Sequence, residues 1–224
     1  MKKAALILLA VAASIVLGRM AYLRATAPTP DSYDRHPLPL ADDPRQVAVD
    51  NADAIRVVFD RGTATIIPQA TYRIAGKVCG INHLKYSKFV DLLPYDICLK
   101  WGRLATENPP GLKFKYDSLR IVWASLEPGS TVTWPYVSTH FSNSHLICAS
   151  KSVCAALARV GKNDELELTG YLVNATIQID GASREWNSSL NRTDSGLGAC
   201  ETIYVVTVRT NGKVYGQPMA AVNL

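Results

Sequence analysis

The residues best suited to chemistry in this 224-residue chain fall in two short runs. The first, His140-Phe-Ser-Asn-Ser-His145-Leu-Ile-Cys148, is the densest set of candidate ligands. On a strand, positions five apart point to opposite faces, so His140 and His145 converge only where Ser142-Asn143-Ser144 bends the chain. A transition metal there would need further ligands from elsewhere, and the five cysteines include no Cys-x-x-Cys pair, so no metal or other cofactor is assigned. The second run, Arg184 to Glu201, is polar and carries glycines. Such a loop exposes backbone amides, with Arg192 able to hold an anion beside them. The same residues hold the materials of a nucleophilic site, with Cys200 as nucleophile, His140 or His145 as base, and Asp194 or Glu201 orienting the base. Competing with that reading is a Cys200 packed at the start of a strand over Glu201 to Val206, and an ion pair of Arg192 with Asp194 that steadies a turn. In an oxidising compartment the odd cysteine count leaves at least one thiol unpaired if the others bridge within the chain. Cys148 and Cys154, six apart across a helix start, bridge only if the first turn permits it.

Four stretches resemble a set of uncharacterised bacterial proteins with an N-terminal hydrophobic segment: Tyr72-Arg-Ile-Ala-Gly-Lys-Val, Thr139-His140-x-Ser-Asn-x-His145-Leu-Ile, Gly170-Tyr-Leu-Val, and Ser188-Ser-Leu-Asn-Arg-Thr-Asp-Ser-Gly-x-Gly-Ala-Cys-Glu201. The likeness spans about residues 72 to 206. It brings no reaction with it, but implies that His140, Asn143, His145, Ser188, Ser189, Arg192, Asp194, Gly196, Gly198, Cys200 and Glu201 belong to recognisable motifs. Asn143, Ser188, Ser189, Arg192, Asp194 and Glu201 are therefore the candidate ligand-binding residues.

The elements that must position these runs are mostly strands. From about residue 54, short β-branched and aromatic runs alternate with Gly, Pro, Asn and Asp. Ile55 to Phe59 and Thr63 to Ile67 flank Asp60-Arg61-Gly62 as a hairpin, and Asn211-Gly212 closes another after a strand over Ile203 to Arg209. Leu119 to Ala124 and Leu166 to Val173 are further strand candidates. Tyr72, Ile74 and Val78 alternate with Arg73 and Lys77, the pattern of a half-solvated strand. One helix is expected, capped by Ser150, with Val153, Leu157 and Val160 on its apolar face and Gly161 at its stop. The fold class is mainly β (α+β): a small antiparallel barrel or sandwich, OB-like in its nearest form, with one inserted helix.

Composition sets the address. Of 24 basic residues, Lys2, Lys3, Arg19 and Arg24 precede residue 25, so the other 200 residues hold 20 basic and 19 acidic groups. That balance argues against nucleic acid, although residues 55–120 carry eleven basic and five acidic groups and would suit anionic headgroups or envelope polymers. Met1-Lys2-Lys3 followed by uncharged Ala4 to Gly18 is an export signal; Ala4 to Leu23, if uncleaved, is long enough to span a membrane. Pro28 after Ala25-Thr26-Ala27 disfavours cleavage there, so the anchor is preferred. Residues 1–24 are thus a signal-anchor or signal peptide, 25–53 a Pro-rich acidic, solvated tether, and 54–224 an exported β-rich domain. The function expected is a membrane-anchored, periplasm-facing binding or assembly module of the bacterial inner membrane, with loops 139–148 and 184–201 as its recognition surface and an envelope protein or polymer as partner. The alternative is an envelope hydrolase or transferase using Cys200 with His140 or His145.

Overall fold

Two long strands organise the chain in this computed structural model, which describes residues 11–19, 21, 28–31, 36–50, 52–85, 87–117, 120–194 and 198–219. β3 (Gly62–His83) and β8 (Glu165–Ile179) pair antiparallel from Gly62 opposite Ile179 to Lys77 opposite Glu165. The other edge of β3 is taken in turn by β2 (Ile55–Phe59), β1 (Arg45–Ala48) and β4 (Tyr95–Lys100). The sheet continues from β4 through β7 (Phe141–Cys148) and β10 (Glu201–Thr210) back to β8, so β3, β4, β7, β10 and β8 pair in a closed ring. β9 (Ala182–Asn187) extends β8, and β11 (Lys213–Gly216) extends β10. Closing a ring with one strand used on both edges requires sharp bending. β3 supplies it with a register shift between Pro68 and Ala70, where proline removes a ladder donor, and another between Val78 and Gly80. Where β8 meets β10, Gly170 brings the backbones so close that a Cβ would lie 2.0 Å from the Tyr204 carbonyl oxygen.

The interior of the ring is apolar, with Tyr72, Ile74, Leu99, Leu146, Leu168 and Ile203 among its buried members. Helix α4 (Lys151–Leu157) follows the end of β7, and Val153, Ala156 and Leu157 enter that core. Its first turn is capped as expected, the Val153 amide donating to Ser150 Oγ at 3.3 Å. Between β4 and β7 the chain makes an insertion holding α2 (Arg103–Thr106), the two-stranded sheet of β5 (Leu112–Tyr116) and β6 (Val122–Leu126), and α3 (Trp134–Ser138). Leu104, Val132 and Val137 form a small core of its own. The described stretch 11–19, α1, is helical.

The architecture is mainly β, and both expected hairpins and the helix are present. Five expectations change. The recognition loops expected over 139–148 and 184–201 are in part strands, the first being mostly β7 and the second starting in β9 and ending in β10, because both runs pair with neighbouring strands. Two short helices, α2 and α3, join the one expected. The large sheet is mixed, because β7 and β10 run parallel in register from Ser144 opposite Glu201 to Cys148 opposite Val205. The cause is connectivity: α4, β8 and β9 intervene, and a parallel pair needs such a long crossover. The strand expected over Leu119 to Ala124 is β6, beginning at Val122, and Leu119 lies outside the described residues. The Pro-rich segment is in part a strap and not solvated throughout. The Asp31 amide donates to the Val214 carbonyl at 2.9 Å, the Leu38 amide to Glu167 Oε2 at 3.0 Å, and the Gly102 amide to the Leu40 carbonyl at 2.8 Å. Leu38 is buried, and beneath the strap so is Arg73, whose Nε donates to Glu167 Oε1 at 2.7 Å. The alternation in β3 was therefore real, but its polar face is covered. Among the described residues no helix is long and apolar enough to cross a membrane. Most of the expected anchor, residues 1–10, 20 and 22–24, lies outside them.

Candidate functional site

β7 and β10 begin side by side because their pairing is parallel, and this puts Phe141, Ser142 and Asn143 next to Cys200 and Glu201 at the end of the ring away from α4. The insertion lies on one side of this end, and residues 188–194 and 198–200 on the other. Between them lies a cavity of about 370 Å³, within the ~300–1,000 Å³ usual for small-molecule sites. Trp101, Trp123 and Trp134 stand on its walls. Two of the three indoles are pinned: Trp101 Nε1 donates to Asp43 Oδ1 of the strap at 3.1 Å, and Trp123 Nε1 to Asp117 Oδ2 at 2.8 Å. Trp123 is nevertheless 62% exposed and Trp134 50%.

The polar end of the cavity is built by alternation along β7 and β10. Glu201 shares its strand face with core residues Ile203 and Val205, so its carboxylate points into the mouth of the ring and is only 2% exposed. Arg192 reaches in from the loop. Its guanidinium pairs with Glu201, donates to Tyr72 Oη at 3.2 Å and to the Ser189 carbonyl at 2.9 Å, and lies 5.2 Å from the centroid of the Tyr72 ring. Burial pushes the Glu201 carboxyl above the usual carboxylate range against the pull of Arg192, and burial with Glu201 pushes the Tyr72 phenol up. Glu201 Oε2, Arg192 Nε and Ser142 Oγ are buried without a hydrogen-bond partner. The Ser142 hydroxyl bears on the carboxylate from beside it but closes no bond of good geometry to it.

The expected anion-holding arginine is thus neutralised by Glu201, and its partner is not Asp194. Asp194 accepts from Ser189 Oγ at 2.6 Å, the Asn191 amide donates to Ser189 Oγ at 3.0 Å, and Ser188 Oγ accepts from the Thr202 amide at 3.1 Å. Ser188 and Ser189 therefore shape the loop, while Arg192, Asp194 and Glu201 line the cavity. Gly198 has a positive φ of 90°, and Gly196 lies outside the described residues.

Cys200 also lines the cavity, and its thiol takes the Asn143 side-chain amide at 3.4 Å. Among the described residues neither histidine contacts it. Burial, countered in part by Asn143, raises its pKa. His140 stacks on Tyr136 with 3.7 Å between centroids, donates from Nδ1 to the Tyr136 carbonyl at 2.8 Å, and has Nε2 3.9 Å from Asp43. His145 faces elsewhere, with Nδ1 2.7 Å from Asp96 Oδ1 and its ring edge-on to Trp186. The two histidines share no partner, so they do not converge. All five cysteines are free thiols, and among the described residues no group of three or more His, Cys, Asp or Glu side chains is arranged to hold a metal.

Sequence reasoning missed a second polar cluster on the outer face of β4 and β7. Asp96 is fully buried there, accepting from Arg120 Nε at 2.7 Å and from His145. Burial raises its pKa, but Arg120 and His145 outweigh this and hold it below the usual range. Arg120 Cζ lies 4.8 Å from the centroid of the Trp186 ring, and Tyr116 donates to Asn143 Oδ1 at 2.7 Å. These bonds fasten the β5–β6 sheet to the ring. The tryptophan walls were missed as well, although three of the four tryptophans falling between residues 101 and 134 was a legible signal. Compared with known proteins, the chain matches no family model, no curated protein and no solved structure.

Proposed function

We propose that the protein is an exported binding module of the bacterial cell envelope, built on an OB-like barrel and held at the inner membrane by its N-terminal segment. The barrel type is supported by the ring of five strands, by the parallel pairing of its third and fifth members in chain order, β7 and β10, and by α4 between the third and fourth. Barrels of this type bind oligomers on the face of the second and third strands and in the loops after the first and fourth. The cavity draws on β7 and on loop 188–200, which follows the fourth ring strand and its β9 extension. Its aromatic walls come from the insertion between the second and third ring strands, and a preformed, aromatic-walled cavity at this end of the ring is the observation that carries the reading. The address rests on Lys2, Lys3 and the uncharged run that follows.

Paired fusions test the address: a periplasm-dependent reporter joined to Leu224 is active and a cytoplasm-dependent one is not. The site is tested on the full chain in detergent by tryptophan emission. A soluble envelope extract shifts the emission saturably in the parent and much less in Trp123→Ala. An extract that leaves the emission unchanged counts against the cavity as a binding site.

A further inference from the structure

The cavity combines an aromatic wall with a polar end that offers both donors and acceptors. Trp101 and Trp123 have their ring nitrogens held by Asp43 and Asp117, so these two indoles are fixed before any ligand arrives and lose little freedom on binding. Trp101, 3% exposed, backs the wall from the core, and the apolar faces open to a ligand are those of Trp123 and Trp134, each at least half exposed. At the other end Glu201 Oε2 and Arg192 Nε have no hydrogen-bond partner, and Ser142 Oγ, which bears on the Glu201 carboxylate, can donate or accept. Leaving such groups unpaired is unfavourable, and a ligand that pairs them recovers that loss. The charge of the lining is one arginine against Asp194 and Glu201, with Arg192 already paired to Glu201. Among the described residues a phosphate or polyanion finds no spare cation there. What the lining complements is an uncharged molecule with an apolar face and an edge of hydroxyls that both donate and accept.

We infer that this ligand is a carbohydrate, with a sugar ring lying against the tryptophan wall and its hydroxyls directed to Ser142, Arg192 and Glu201. The inference rests on the cavity being a binding site and names the class of molecule it takes. An open-ended cavity on an exported domain would let such a ring belong to a longer envelope glycan.

The test uses the full chain in detergent and follows tryptophan emission on titration with chitotriose, cellotriose, maltotriose and laminaritriose, with oligothymidylate and inorganic polyphosphate as charged probes. At least one saccharide produces a saturable shift, and the charged probes produce none. Trp123→Ala and Trp134→Ala each weaken saccharide binding by about tenfold or more, whereas Trp123→Phe keeps most of it. Both side chains are largely exposed, so truncating them spares the core, and an unchanged melting temperature verifies this. Four silent saccharides beside an active envelope extract overturn the sugar assignment while leaving the cavity a binding site. Saccharide binding that survives both alanine variants, or charged probes that bind in a Trp123-dependent way, overturn it too. Silence of both saccharides and extract removes the binding reading itself.

Discussion

Arg192 and Glu201 show how much depends on single side chains at the ring mouth. Removing Arg192 leaves a buried carboxylate without its cation, a change that costs about 3–5 kcal/mol when the charge persists. Glu201 escapes part of that by taking up a proton, so its pKa in the folded variant rises further above the unfolded value. Stability then falls as pH rises through that interval. Arg192→Ala is therefore more destabilised at pH 8 than at pH 5 in thermal melts, and adding Glu201→Gln removes the difference. Asp96 has the opposite sign. Its folded pKa lies below the ordinary value, so its contribution is complete above about pH 4 and is lost as pH falls through the lower, folded value. Asp96→Asn flattens the acid limb of the melting profile, and an unchanged limb would mean that Arg120 and His145 do not stabilise the ionised form. The thiols separate in the same way. The Cys148 thiol lowers Cys154 to about 7 against its partial burial, while burial raises Cys200. Iodoacetamide near pH 7 thus labels Cys154 ahead of Cys200. Fast labelling of Cys200 would revive the nucleophile.

At the scale of elements, the strap is the least expected part. It crosses the outer face of β3 and β8, buries Leu38, and ends with Asp43 holding Trp101 of the cavity wall. Leu38→Ala should cost about 2–5 kcal/mol, the range for a buried leucine, where a solvated tether would lose nothing measurable. A denaturant midpoint decides between the two. The same contacts tie the segment leading from the expected anchor to the wall that the proposed ligand touches. The insertion depends on the reverse arrangement, in which a small core of its own is completed by the buried bonds of Asp96, Arg120 and His145 to the ring.

For the whole molecule, the proposed address and the proposed site support each other. On the proposed reading, a domain held close to the membrane by a strapped linker would keep its cavity within reach of envelope polymers, and near-neutral charge beyond residue 24 would avoid non-specific capture by polyanions. The intact mass of the membrane-extracted protein is expected to be that of the full chain. A mass shortened to begin near Pro28 would replace the anchor with a cleaved signal and leave export standing.

Local chemistry is what the amino-acid sequence determined by itself. Alternation marked β3 and a β-branched run marked β10, Asp60-Arg61-Gly62 and Asn211-Gly212 made their turns, and Ser150 with its alanine-rich run made α4, because each depends only on neighbours a few residues away. The polar run 184–201 was legible as a loop only in its middle, since residues 184–187 are the end of β9 and Glu201 opens β10; Asn191, Arg192, Asp194, Ala199, Cys200 and Glu201 of it line the cavity. Tertiary structure decided the rest, since partners far apart in sequence have no local signature. Arg192 meets Tyr72 across 120 positions, Leu38 meets Glu167 across 129, and His145 turns to Asp96 and away from Cys200 because the pairing of β4 with β7 puts Asp96 opposite it. The parallel start of β7 and β10 set Ser142 beside Glu201, and the tryptophans became one wall only when the insertion folded over that end.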